Sequence, residues 1–210
     1  MDTEVERVVH VVDDDEGVRR ALTMLMRSAG LGVESYESAG AFLERAEGLR
    51  PGCVLLDIRM PGMTGLELQR VLAERQVQLP VVVMTGHGDV AVAVQAMKAG
   101  AVDFVEKPFD DEHVLRLVDE ALARAAVTYR RTRETAEAAA LVGQLSQRER
   151  DVLERLIAGR SNKLIAFDLG ISPRTVEIYR ANMMEKLHAR TVSEAVRIAI
   201  LAGLPTEPAA

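Results

Sequence analysis

Short apolar runs alternate with helix-periodic stretches along the first half of the chain. Val8-Val-His-Val-Val12 is β-branched and apolar, which predicts a central strand. It runs into Asp13-Asp14-Asp15-Glu16, after which Val18, Ala21, Leu22, Leu25 and Met26 recur at helical spacing over residues 17–29. Gly30 closes that helix as a left-handed cap. Val33 to Tyr36 predicts a second strand, Ser38 to Glu44 the start of a helix, and Cys53 to Asp57 a third strand followed by Pro61-Gly62. Leu66, Leu68, Val71 and Leu72 mark a helix over Leu66–Glu74. Pro80 to Thr85 is a fourth strand, Gly86-His87-Gly88 a turn, and Asp89 the cap of a helix over Val90–Ala99 that Gly100 ends. Val102 to Glu106 is a fifth strand, followed by Lys107-Pro108.

Five strands alternating with helices imply right-handed crossovers and a parallel, doubly wound sheet covered on both faces, an α/β domain. From Asp110 to about Arg133, Val114, Leu117, Val118, Ala121, Leu122 and Ala125 form one stripe of a long helix. Thr128 to Ala140 is charged and Ala-rich, which favours a helical spacer over a floppy tether. A coiled-coil seam is the rival, but the apolar repeat is short for one.

The remainder, residues 144–204, reads as four helices. Ser146-Gln-Arg-Glu149 is a capping box, followed by Val152, Leu153, Leu156 and Ile157, and Gly159 is a stop. Ser161 caps a short helix over Asn162–Leu169 that Gly170 ends. Ser172-Pro173 opens a third helix, running to about Leu187, with proline at its first position. Thr191-Val-Ser-Glu194 is a further capping box, and the last helix reaches Ala202. A short helix, a turn with Gly170 and a longer basic helix make a helix-turn-helix pattern. The longer helix has Val176, Tyr179 or Met183, and Leu187 on its apolar side. Arg174, Glu177, Ile178, Ala181 and Arg180 lie on its other side, where side chains can reach base edges. Asn162, Lys163, Thr175 and Lys186 are better placed for phosphates.

Composition narrows the picture. Of 210 residues, 48% are hydrophobic and 28% charged, a globular balance. Cys53 stands alone, so neither an internal disulfide nor a cysteine zinc site is possible. No apolar run is long enough to span a bilayer, and the acidic start lacks the basic and apolar regions of a signal peptide, so a cytosolic location and no membrane partner are expected. The net charge of −6 is uneven. Residues 1–140 hold 16 Lys/Arg against 24 Asp/Glu, whereas residues 141–210 hold 10 against 8. Two domains with different partners are expected, and the second domain's charge permits nucleic acid.

Ligands of parallel sheets bind at the carboxyl ends of the strands. There the predicted topology collects Asp13 and Asp14, Asp57, Thr85 and Lys107. Converging carboxylates repel unless a cation intervenes, and Mg²⁺ with oxygen ligands suits them. A carboxylate beside Mg²⁺ and a lysine can act as a nucleophile toward a phosphoryl group.

Asp13-Asp14, Asp57 with Pro61-Gly62, Thr85 and Lys107-Pro108 resemble the receiver domain of bacterial two-component response regulators. The resemblance implies a flavodoxin-like fold, with Asp57 taking a phosphoryl group from a histidine kinase. It implies Mg²⁺ held by Asp14, Asp57 and the backbone carbonyl of Arg59, with Asp13 in the same pocket. It also implies a cis bond between Lys107 and Pro108 and a switch aromatic at Phe104, and it puts Arg59 and His87 at positions that often tune phosphate lifetime, although His87 reads as a surface loop residue rather than a catalytic one. Leu145-Ser-Gln-Arg-Glu-Arg-Asp-Val-Leu153, Asn162-Lys163-Leu-Ile-Ala166, Ile171-Ser-Pro-Arg-Thr-Val-Glu177 and Lys186-Leu187 are similar to the LuxR-type DNA-binding domain. The whole chain resembles the NarL/FixJ class, FixJ-type members most of all. Expected domains are a receiver at 5–125, a helical linker at 126–140 and a helix-turn-helix domain at 141–206. The expected function is phosphorylation-activated transcription regulation on double-stranded promoter DNA, with RNA polymerase as a further partner and pairing of phosphorylated receivers into a homodimer. A phosphatase using an aspartyl-phosphate is a rival, but no second carboxylate follows Asp57 closely, since Arg59 sits two residues on. A protein-binding adaptor without a DNA role is the other.

Overall fold

The computed structural model describes residues 8–86 and 90–205. His87, Gly88, the cap expected at Asp89 and both ends of the expected domain span (5–7 and 206) lie outside them. Two compact units divide between Tyr129 and Arg130.

In the first unit, strands β1 (Val8–Val12), β2 (Gly32–Tyr36), β3 (Gly52–Asp57), β4 (Val81–Thr85) and β5 (Asp103–Glu106) form one sheet in the order β2-β1-β3-β4-β5. All neighbouring pairs are parallel. Helices α1 (Glu16–Ser28), α2 (Ala39–Leu43), α3 (Gly65–Glu74), α4 (Val90–Lys98) and the start of α5 (Asp111–Gly143) connect and cover the strands. Because strand side chains alternate, two cores form. Val9, Val11, Leu55 and Met84 face Leu22, Met26, Val118 and Ala121 of α1 and α5. Val12, Val54, Leu56 and Val83 face Phe42, Leu68, Leu72 and Ala96 of α2, α3 and α4. Strands β1 and β3 are adjacent at the centre, where the strand order reverses, and a doubly wound sheet opens its ligand crevice at that point.

The expected elements are present with small shifts at their ends. The apolar stripe ending near Arg133 and the helical spacer expected over residues 128–140 are one helix, running to Gly143. The ion pairs Arg130–Glu134 (3.4 Å) and Arg133–Glu137 (2.7 Å), each four residues apart, support the exposed stretch. Val142 then enters the second unit's core.

That unit holds α6 (Gln147–Ile157), α7 (Asn162–Leu169), α8 (Pro173–Lys186) and α9 (Val192–Leu201). Val152, Leu153, Ile165, Val176, Met183, Leu187, Ala195 and Ala199 are packed at its centre. Met183, rather than half-buried Tyr179, is the buried residue midway along α8. The capping box at Ser146 and Glu149 is formed in both directions. The one expected at Thr191 is not. Glu194 accepts from the backbone N–H of Arg190, one residue before the cap, while Thr191 caps alone. Among the described residues, no helix is long and apolar enough to cross a membrane.

Candidate functional site

The sheet brings together side chains far apart in sequence. Asp13 follows the last residue of β1, and Asp57 ends β3. Lys107, directly after β5, extends its ammonium between them: Nζ lies 2.7 Å from Asp13 Oδ2 and 2.8 Å from Asp57 Oδ1. Ligand atoms of Asp13, Asp14 and Asp57 all lie within 4.8 Å of one another. Asp13 and Asp57 are buried, whereas Asp14 is exposed at the mouth. Desolvation pushes the Asp57 carboxyl above its usual pKa; the Asp13 carboxylate adds to this and Lys107 opposes it. Burial works against the charge on Lys107, but its hydrogen bonds to Asp13 and Asp57 hold its pKa above the ordinary value.

The second oxygen of Asp57, Oδ2, accepts from the backbone N–H of Arg59 at 3.0 Å, and the Arg59 residue is exposed. Thr85 is buried at the end of β4, and the N–H of Lys107 donates to its carbonyl at 2.7 Å. Phe104, on β5, is 42% exposed. The Lys107–Pro108 bond is cis. Three oxygen-bearing acids around one point form a donor set suited to a hard divalent cation such as Mg²⁺.

A different arrangement appears on the second unit. Ser161 and Ser172 cap α7 and α8, and Gly170 takes the left-handed conformation between them. This is the helix-turn-helix geometry. Arg174, Glu177 and Ala181 are exposed on α8, as is Ile178 at 54%. Lys163 is exposed on α7. Thr175 Oγ1 lies 2.8 Å from Ser172 Oγ, within the α8 cap. Arg180 is half-buried and donates to Asn162 Oδ1 at 3.0 Å. The ammonium of Lys186 does not stand free; it lies 2.6 Å from Glu149 Oε2.

Residues 9–119 match the response regulator receiver domain, and residues 143–199 match the bacterial regulatory proteins of the luxR family. The transcriptional regulatory protein FixJ of Azorhizobium caulinodans is 52% identical over 196 residues, covering 93% of each chain. The response regulator protein TodT of Pseudomonas putida is 41% identical over 191 residues, 91% of this chain and 84% of that one. The chain belongs to the response regulators of the NarL/FixJ class. Among solved structures, the response regulator StyR superposes with a TM-score of 0.82 at 40% identity, covering 93% of this chain and 98% of that one. Full-length FixJ from B. japonicum gives 0.58 at 47% identity, covering 96% and 99%. The chain is thus a two-component transcription regulator, a family of regulators rather than enzymes.

Three contacts of this response regulator escape a reading of its sequence. Arg19 on α1 donates from Nη1 to the carbonyl of Asp13 at 2.8 Å, bracing the β1–α1 turn. Gly65 begins α3 against the backbone of Asp57; a Cβ there would overlap the Asp57 carbonyl oxygen. Glu149 is buried and binds Lys186 across 37 residues. For Arg19 and Glu149 no spacing signals the pairing. For Gly65 the signal is only its place eight residues after a strand-end aspartate.

Proposed function

We propose that Asp57 is the phosphoacceptor of this regulator and that its phosphorylation controls DNA binding by α7 and α8. The supporting observation is the bridging position of Lys107, 2.8 Å from Asp57 and 2.7 Å from Asp13, beside Asp14. In the transfer, an Asp57 oxygen attacks the phosphorus of a kinase phosphohistidine. The P–O bond forms as the P–N bond breaks, and the imidazole leaves and takes up a proton. Lys107 neutralises charge on the phosphoryl oxygens. Asp13, Asp14, Asp57 and the Arg59 carbonyl would hold Mg²⁺, which supplies further neutralisation there. Thr85 binds the product phosphate.

As Thr85 is drawn to the phosphate, Phe104 turns inward from its exposed position. Receivers then pair through α4, β5 and α5, a reading supported by exposed Val94 (47%) and Met97 (40%) on α4. Pairing sets two helix-turn-helix units on adjacent half-sites of promoter DNA. Arg174, Glu177, Ile178 and Ala181 face base edges. Asn162, Lys163 and Thr175 serve the backbone, whereas Lys186, expected there from sequence, is held by Glu149. RNA polymerase is the partner that reads the outcome. Since both DNA and the kinase's phosphohistidine must be accessible, the regulator acts in the cytoplasm. The domain scheme of receiver 5–125, linker 126–140 and helix-turn-helix 141–206 belongs to the same proposal.

Genome-wide footprinting of wild type against Asp57→Asn tests the function. Sites occupied by wild type and lost in the variant are expected; equal occupancy would remove the phosphorylation control.

A further inference from the structure

Arg180 does not share the outer face of α8 with Arg174, Ile178 and Ala181. It lies one turn after Val176 and two turns before Leu187, both of which are buried. That places it at the edge of the core-facing stripe, leaning toward α7, and it is half-buried accordingly. Its Nη1 donates to Asn162 Oδ1 at 3.0 Å. The bond orients both partners. The Asn162 amide turns its oxygen to the guanidinium and its NH₂ donors outward, and the planar guanidinium loses its swing.

The partner is also neutral. Lys186 and Arg155 in the same unit lie against Glu149 and Asp168. Among the described residues, no carboxylate lies within ion-pair distance of Arg180. A half-buried guanidinium on a neutral acceptor keeps its full charge and most of its five donors for an external anion.

We propose that Asn162 and Arg180 act as one unit on a DNA phosphate. Arg180 supplies the charge, Asn162 is the positioning residue that fixes it, and neither reads a base. This rests on the DNA-binding reading above and assigns Arg180 a role apart from the groove-facing side chains of its own helix.

The test uses the full chain treated with a phosphodonor, titrated by fluorescence anisotropy over a salt series. One probe is an operator duplex of about 30 base pairs selected from a random pool by the wild type, long enough for two half-sites. The other is a random-sequence duplex of the same length. Arg180→Ala is expected to weaken both duplexes by the same factor, about tenfold, and to flatten the salt slope by about one per protomer. Asn162→Ala removes no charge, yet is expected to give a large part of that loss and of that flattening. The double variant is expected to bind no more weakly than Arg180→Ala alone. Arg180→Lys, which keeps the charge, is expected to retain the slope, and covers the case in which Arg180→Ala misfolds. Arg174→Ala serves as the comparison, and is expected to relax the preference for operator over random DNA.

Additive losses in the double variant, or an unchanged slope with relaxed operator preference in Arg180→Ala, would overturn the assignment while leaving DNA binding intact. A wild type with no salt-dependent binding to either duplex would overturn the DNA reading itself.

Discussion

The ammonium of Lys186 rests 2.6 Å from Glu149 Oε2, joining the end of α8 to the first turn of α6. Glu149 is only 4% exposed and also accepts from the N–H of Ser146 at 2.7 Å. Burial opposes its charge, but Lys186 and Ser146 hold its carboxyl below the usual pKa. Lys186 is therefore a strut of the helix-turn-helix unit.

Lys186→Ala is expected to destabilise the second unit by about 2 kcal/mol, since a buried carboxylate loses its charged hydrogen-bond partner. Urea denaturation followed by circular dichroism reads the loss. The depressed pKa of Glu149 adds a pH signature. Its contribution is complete above the unfolded value near 4.5 and fades as pH falls through the lower folded value. Glu149→Gln should remove that acid sensitivity. A Lys186→Ala protein as stable as wild type would show that the strut carries nothing.

A second pH window belongs to His10, which is fully buried within β1. Its Nε2 lies 3.0 Å from the Arg50 carbonyl and its Nδ1 3.3 Å from Tyr36 Oη. Glu34 Oε2 is 3.6 Å from Nδ1, and Arg50 itself pairs with Glu34. Desolvation dominates and lowers the His10 pKa, despite the carbonyl and Glu34, which favour the charged form. A lowered histidine pKa means that the unfolded chain takes up the proton first. Receiver stability should hold above pH 6.5 and fall as pH drops below it, by at most about 1.4 kcal/mol per pH unit. Urea midpoints across this range should decline in wild type and flatten in His10→Asn.

Gly65→Ala should disturb the proposed phosphorylation site without removing a charge. The new Cβ would overlap the Asp57 carbonyl oxygen, so either α3 or the strand end must move. A loss of about 1–3 kcal/mol in stability, with slower labelling of Asp57 by a small phosphodonor, is expected. Normal labelling would mean that the loop relaxes freely.

These relationships divide what the sequence exposes from what it hides. The strand ends were legible because a buried parallel strand must be apolar until it reaches solvent. Asp13, Asp57 and Thr85 each terminate such a run, while Lys107 follows the partly exposed edge strand β5. The helix starts were legible through the local chemistry of Ser146, Ser161 and Ser172. Contacts set by packing leave no periodic trace. Glu149 with Lys186 and Asn162 with Arg180 are separated by 37 and 18 residues, and neither spacing follows from a helix or strand repeat. The different burial of Asp13 and Asp14 was also hidden, because adjacent aspartates look alike until the turn after β1 sets their directions. The later part of α5 was legible in another way: past Arg133 its stripe is no longer apolar, and helical order rests on the alanines and exposed ion pairs that composition shows.

Thr85 and Phe104 should separate receiving the signal from relaying it. Thr85→Ala and Phe104→Ala both leave Asp57, Lys107 and the acidic residues in place. Each is expected to accept the phosphoryl group to near wild-type extent while weakening phosphorylation-induced dimerisation about tenfold, measured by sedimentation. Dimerisation as tight as in wild type would remove both residues from the relay.

The central assignment is that Asp57 takes the phosphoryl group and thereby controls DNA binding. Intact-mass spectrometry after incubation with a small phosphodonor and Mg²⁺, paired with anisotropy on the selected operator using the same samples, tests it most directly. Wild type should gain the mass of one phosphoryl group and bind the operator more tightly in step with that gain, while Asp57→Asn should show neither. A phosphoryl group retained in Asp57→Asn, or operator binding that rises equally in both proteins, would contradict it.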